Sequence, residues 1–160
     1  MKVGVLFPSR FDEPGEFLAD ARAMEAAGVD SVWMEDDGAG LDPLLSLAAI
    51  SASAHQLRLG LIRQANLASN AEHERRVATL QRLSRQRAVT GIAEGSTVIA
   101  GAEHWRRVEV PADRESWART VERSEADGIG VIVPFGPRLL DMLRHPEEAI
   151  DRPDLQLAQG

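Results

Sequence analysis

Short apolar runs recur about every thirty residues along this chain, and a helical pattern follows most of them. Each run is hydrophobic throughout and rich in β-branched residues, which is typical of parallel strands buried on both faces. The four clearest runs lie at residues 2–7, 29–34, 57–62 and 88–93. This alternation predicts an α/β fold with parallel, adjacent strands whose polar ends meet at one edge.

The ends of the predicted helices carry recognisable signals. Gly28 follows the first helix and is expected to end it in the left-handed conformation. Asp42 precedes Pro43, so the carboxylate is expected to cap the second helix while proline occupies its first turn. The third helix, over 71–83, is expected to pack inward through Val77, Leu80 and Leu83.

The regular alternation stops after residue 96. Residues 97–100 and 105–110 form either two short strands or an irregular excursion, because their periodicity favours neither. A helix–strand unit is predicted at 113–134, followed by a short helix over 137–144. With no linker or low-complexity segment, we interpret residues 1–160 as a single domain.

A complete eight-fold strand–helix barrel usually needs roughly 250 residues, and this chain has 160. Four or five parallel strands are not expected to close tightly, which would leave two free sheet edges and a bare apolar face. The sequence therefore predicts a homodimer, with Trp105, Trp117 or residues 146–160 covering that face.

Charge and cysteine content exclude several classes of function. The net charge of −7 argues against binding to nucleic acid or to an anionic membrane. The absence of cysteine excludes disulfides, thiolate nucleophiles and zinc–thiolate sites. No stretch approaches ~18 uninterrupted apolar residues, and the first residues lack a signal peptide's long apolar region, so we expect a cytoplasmic protein.

Polar side chains gather where the predicted strands end, and functional groups of parallel α/β folds lie at that edge. The candidates are Ser9, Arg10, Glu35, Asp36, Asp37, Arg63, Gln64, Asn66, Glu94 and Ser96. Arginines among carboxylates hold a charged ligand or shift a carboxylate's pKa; the alternative is a solvated, salt-linked rim. Only Glu35 and Asp37 of the acidic run point the same way, so we expect no metal site.

Three segments, at 26–36, 42–60 and 78–87, resemble the luciferase-like monooxygenase family in their order and spacing. The resemblance covers residues 1–95, and 113–134 is similar to the helix–strand unit that ends such barrels. It implies a shortened TIM-type barrel with its middle units missing.

Members of that family use FMN or a deazaflavin coenzyme. The resemblance therefore implies a flavin- or deazaflavin-dependent oxidoreductase or monooxygenase acting on a small organic substrate, with a separate flavin reductase as a further partner. At and near the strand ends, the candidate cofactor contacts are Phe7, Ser9, Trp33, Asn66, Glu94 and Gly95, and the candidate substrate contacts are Arg10, Arg63 and Gln64. Candidate catalytic residues are Asp36, Asp37 and His73.

Two alternatives stay open. Trp33 either stacks on the flavin ring or fills the barrel core. The chain is either the enzyme or a non-catalytic relative that serves as a binding or partner subunit. The family's phosphate-holding loops lie in the later half of the barrel, and Glu94 would repel an anion, which favours the second view.

Overall fold

A computed structural model describes residues 2–66 and 70–144 of the chain. These residues form seven strands and five helices, and the predicted tail at 146–160 lies outside them. In chain order the elements are β1 (Val3–Leu6), α1 (Pro14–Ala26), β2 (Ser31–Asp36), α2 (Pro43–Ser53), β3 (Arg58–Gln64), α3 (Ala71–Leu83), β4 (Ala88–Glu94), β5 (Thr97–Ala100), β6 (Glu103–Arg107), α4 (Arg114–Ala126), β7 (Gly130–Pro134) and α5 (Pro137–Arg144).

The first four strands are parallel and adjacent, as their sequence pattern predicts. β1 pairs with β2, β2 with β3 and β3 with β4, all in parallel register. The predicted helix ends are also confirmed. Gly28 has a φ of 77°, and the Asp42 carboxylate accepts hydrogen bonds from the amides of Leu44 and Leu45.

Residues 97–107 form a hairpin that completes the sheet. β5 is antiparallel to β4 and β6, β6 is parallel to β7, and β7 pairs with β1 to close a barrel. The expectation of two free edges is therefore wrong. A parallel crossover needs a dozen or more residues, whereas a hairpin needs only a tight turn. The hairpin therefore adds two strands with few additional residues. Gly95 and Gly101 provide the positive φ angles at its turns.

Two tryptophans fill the barrel interior. Trp33 and Trp105 are both 0% exposed, and their ring centroids lie 5.2 Å apart in an edge-on arrangement. Glycines make room for both rings, since a Cβ at Gly60 would lie 2.1 Å from Trp33 and one at Gly130 2.4 Å from Trp105. The expectation that Trp105 covers an exposed sheet or a partner is wrong, because barrel closure places it inside.

The second core lies between the barrel and its helices. Trp117 on α4 is buried there, so its expected role at a partner surface is also wrong. Leu80 is buried as predicted, but Leu83 is 59% exposed. The end of α3 instead turns Ser84 inward, and the Gln81 amide donates a hydrogen bond to the carbonyl of Ala88 at 2.7 Å.

An ion-pair network covers the amino-terminal end of the barrel. The Arg58 guanidinium lies 5.9 Å from the Trp105 ring centroid and donates a hydrogen bond to Glu103 at 2.9 Å. Arg58 also approaches Asp30 at 3.5 Å, and Lys2 pairs with Glu103. Burial by itself raises the pKa of Glu103, but hydrogen bonds from Lys2 and Arg58 bring it below its usual range. These contacts link the amino ends of β1, β3 and β6.

Candidate functional site

The opposite end of the barrel carries the candidate site. The carboxyl ends of β1–β4, β6 and β7 meet there, together with the turn that joins β4 to β5. Register brings neighbouring candidates together, since Asp36 on β2 pairs with Arg63 on β3. The loop after β2 lies over the loop after β1, where the Leu41 amide donates a hydrogen bond to the Ser9 carbonyl at 2.9 Å.

Two adjoining recesses open on this edge. The first recess, about 270 Å³, is lined by Leu6, Phe7, Pro8, Ser9, Glu35, Asp37, Pro134 and Phe135. The second recess, about 330 Å³, is lined by Leu6, Gly95, Ser96, Arg107, Val108, Glu109, Ile132 and Pro134. Because Leu6 and Pro134 belong to both linings, the recesses meet over an apolar floor.

An ion pair links the two recesses. Arg107 Nη1, in the lining of the second recess, lies 2.8 Å from Glu35 Oε1, in the lining of the first. Both side chains are about a quarter to a third exposed, so solvent partly screens this pair. Sequence reasoning missed Arg107 because the pattern over 97–110 did not decide between strands and an irregular segment. Strand β6 places this guanidinium at the rim.

A second polar cluster lies at the same edge but outside both recess linings. Arg63 is 8% exposed, and its Nε lies 4.0 Å from Asp36 Oδ2. Burial lowers the pKa of His73, the Arg63 charge lowers it further, and Asp36 partly opposes the shift. These effects together favour the neutral form of the imidazole.

Several candidate residues do not line the recesses. Trp33 has no exposed surface and donates a hydrogen bond to Ser31 Oγ at 2.9 Å, so the structure gives it the core role and not a contact with a rim ligand. Arg10, Gln64 and Asn66 are exposed and lie outside both linings, as does exposed Glu94. Of the candidates, the recesses bring together Phe7, Ser9, Glu35, Asp37, Gly95 and Ser96.

An aromatic recess of about 340 Å³ adjoins the first recess through Phe7, Pro8 and Phe135. All four phenylalanines of the chain line it, and the Phe11 and Phe17 rings stack at 4.0 Å. Four carboxylates complete the lining, namely Asp12, Glu13, Glu16 and Asp20. Burial, and then the Glu16 charge, raise the pKa of Asp20. Sequence reasoning missed this recess, since Phe135 is distant from the others along the chain.

Within the described part of the chain, no three His, Asp or Glu side chains lie close enough together to hold a metal ion. Across residues 2–66 and 70–144, no helix combines the length and apolar character that crossing a bilayer requires.

The closed, largely parallel barrel with its recesses at the carboxyl edge defines an α/β-barrel protein of reduced size. Residues 1–126 match the family model described as luciferase-like monooxygenase. The chain belongs to this family.

Solved structures share the fold. A long-chain alkane monooxygenase superposes with a TM-score of 0.51 at 12% identity, over 79% of this chain and 38% of that one. The coenzyme F420-dependent tetrahydromethanopterin reductase of Methanopyrus kandleri superposes with a TM-score of 0.50 at 17% identity, over 75% of this chain and 30% of that one. A riboflavin lyase superposes with a TM-score of 0.50 at 22% identity, over 58% of this chain and 29% of that one. The chain thus spans about a third of each of these proteins.

A curated protein also matches over a short segment. A probable Xaa-Pro aminopeptidase of Verticillium alfalfae is 28% identical over 96 residues, which are 60% of this chain and 17% of that protein. The chain spans well under two thirds of that relative's length.

Proposed function

We propose that the two rim recesses bind the ring system of a flavin-type coenzyme, FMN or a deazaflavin. The protein would then act as an oxidoreductase or monooxygenase on a small organic substrate. The observation that carries this proposal is the pair of recesses that meet at Leu6 and Pro134, with Arg107 and Glu35 between them, in a member of this family. Ligand sites of parallel barrels lie at this carboxyl edge.

The residues of the rim suit a planar ring with a polar margin. Leu6 and Pro134 offer an apolar floor for the ring face, while Ser9 and Ser96 offer hydroxyls. Arg107 adds a cation that a carbonyl or anionic edge of the ring would attract. When bound, the coenzyme supplies the redox chemistry, and the chain binds and orients it.

The remaining polar groups receive different roles. Asp37 lines the first recess and is our candidate for accepting a proton from a bound substrate. Asp36, Arg63 and His73 lie outside both linings, so we assign them to holding the rim in place. The substrate itself would occupy the aromatic recess beside Phe7 and Phe135, whose rings suit an apolar organic body.

The ligands of the structural neighbours support both coenzyme classes. The riboflavin lyase structure holds a modified FMN with the substrate riboflavin, and the Methanopyrus kandleri reductase depends on coenzyme F420. We therefore propose a single site for the ring, which either a flavin or a deazaflavin would occupy.

A second function has its own support. Trp33 and Trp105 fill the barrel interior, which favours a binding or partner subunit without catalysis. In either case we propose a cytoplasmic protein. For the enzyme, we add a separate flavin reductase that delivers reduced flavin.

Fluorescence titration with riboflavin, FMN and a deazaflavin tests ring binding. We expect saturable quenching of at least one ring, and Arg107→Gln should weaken it about tenfold, the scale of a lost charged hydrogen bond. Glu35→Gln frees Arg107 and should leave binding equal or tighter. Arg22→Gln, an equal charge change on the exposed side of α1, is the control.

The outcomes separate the alternatives. Absence of quenching by all three ligands would contradict the proposed site. Equal weakening of ring binding in Arg107→Gln and Glu35→Gln would show that the ion pair stabilises the rim and that Arg107 does not contact the ligand. Ring binding without turnover of added reduced flavin and oxygen would favour the partner-subunit function.

A further inference from the structure

A groove of about 380 Å³ lies between α4 and β6, on the outside of the barrel. Its polar lining consists of three arginines and three hydroxyl residues, namely Arg106, Arg119, Arg123, Ser116, Thr120 and Ser124. No aspartate or glutamate belongs to this lining, in a chain whose net charge is −7. The groove is therefore a local basic surface on an acidic protein.

Helical spacing concentrates these groups. Residues 116, 119, 120, 123 and 124 follow the i, i+3, i+4, i+7, i+8 pattern, so they form one stripe along α4. A helix flank that packs on neighbouring elements would carry apolar residues at such spacing. The groove stays open because a hairpin follows β4, so this part of the chain places no helix beside α4.

The charges of the groove are only partly balanced. Arg106 pairs with Asp127 at 3.2 Å, and Arg119 pairs with Glu115 at 3.0 Å. Arg123 forms no ion pair with any residue in the ranges 2–66 and 70–144. One guanidinium of the groove thus stays without a counter-charge.

Ser124 supplies an independent signal. The residue belongs to the groove lining and is 1% exposed, and its buried Oγ has no hydrogen-bond partner in the described structure. Buried hydroxyls nearly always have a partner, because an unsatisfied one loses its hydration without compensation. A ligand oxygen in the groove would provide the missing partner.

We propose that this groove binds a small molecule through a phosphate or diphosphate group. Guanidinium groups match phosphate oxygens in charge and planar geometry. Thr120 Oγ1 already donates to the Ser116 carbonyl at 2.8 Å, so the serine hydroxyls are the donors to the remaining oxygens. Arg123 supplies the unbalanced charge, and Ser124 binds the innermost oxygen. The site is separate from the rim recesses and does not depend on flavin binding.

Calorimetric titration of the full chain with inorganic pyrophosphate and with orthophosphate, at low salt and without flavin, tests the proposal. We expect saturable binding of pyrophosphate that Arg123→Gln weakens about tenfold or more, the scale of one charged hydrogen bond. Arg22→Gln, an equal charge change on α1, should leave the affinity unchanged.

Ser124→Ala gives a second readout. The variant should bind pyrophosphate several-fold more weakly, yet its Tm without ligand should equal or exceed that of the wild type, because an unsatisfied hydroxyl is removed. A lower Tm would show that Ser124 Oγ has a structural partner and would overturn its assigned role. Absence of saturable binding, equal losses in Arg22→Gln and Arg123→Gln, or binding only to long polyanions such as heparin would overturn the site.

Discussion

The Trp33 ring lies against Gly60 so closely that a Cβ there would fall 2.1 Å from one ring carbon and 2.2 Å from another. Gly4 and Gly91 face the same indole. In a barrel of seven strands, this is how two tryptophans fit inside without displacing the strands. The glycines are therefore part of the interior packing.

Gly60→Ala should destabilise the protein, because the added methyl group meets a fully buried ring that has nowhere to move. We expect a loss of about 1–3 kcal/mol or more in the free energy of unfolding, measured by urea denaturation. Gly15→Ala on α1, where a Cβ meets nothing within 4 Å, is the control and should stabilise by up to about 1 kcal/mol. Equal effects of the two substitutions would contradict the tight packing around Trp33.

At the scale of single elements, the start of α2 depends on Asp42. Its carboxylate accepts hydrogen bonds from the amides of Leu44 at 2.9 Å and Leu45 at 3.1 Å, and it pairs with Arg76 of α3. Both partners of the ion pair are about one third exposed, so the pair contributes little. The helix cap is then the main role of this residue.

Asp42→Ala should cost about 1 kcal/mol of stability, the usual effect of removing an N-cap. Asp42→Asn keeps a capping oxygen and loses only the ion pair, so we expect a loss of a few tenths of a kcal/mol, also by urea denaturation. If asparagine costs as much as alanine, the contact with Arg76 and not the cap stabilises this junction.

Elements with a strong local signal were predictable from the sequence. The four parallel strands, the Gly28 and Asp42 helix ends, α4 and α5 all follow from apolar periodicity and caps. The β5–β6 hairpin was not, because its strands are short and its role in closing the barrel depends on β7, over twenty residues later. Barrel closure in turn decides that Trp33 and Trp105 lie inside and that Arg107 reaches the rim.

For the whole molecule, barrel closure removes the free sheet edges from which the homodimer was predicted. The described barrel has no free edge. However, β5 is followed directly by β6 and not by a helix that could cover its outer face. Ile99 lies half-buried on that face, between the inward-facing Val98 and Ala100. Homodimerisation stays a prediction, and we propose this face for it.

Light scattering at low micromolar concentration should give twice the mass of the 17.4 kDa chain. Ile99→Glu should give a monomer with an unchanged circular dichroism spectrum, because the new charge lies on the outside of the sheet. A wild-type monomer, or an Ile99→Glu variant that stays dimeric, would contradict dimerisation through this face.

We propose that a flavin-type ring binds at the carboxyl edge of this small barrel. The most direct measurement is a map of backbone amide chemical shifts during titration with riboflavin, which carries the ring but no phosphate and so avoids the α4 groove. This binding predicts saturable shifts at the amides of Ser9, Ser96 and Arg107, with those of Arg58 and Glu103 at the opposite end unchanged. Shifts confined to that opposite end, or none at saturating ligand, would contradict it.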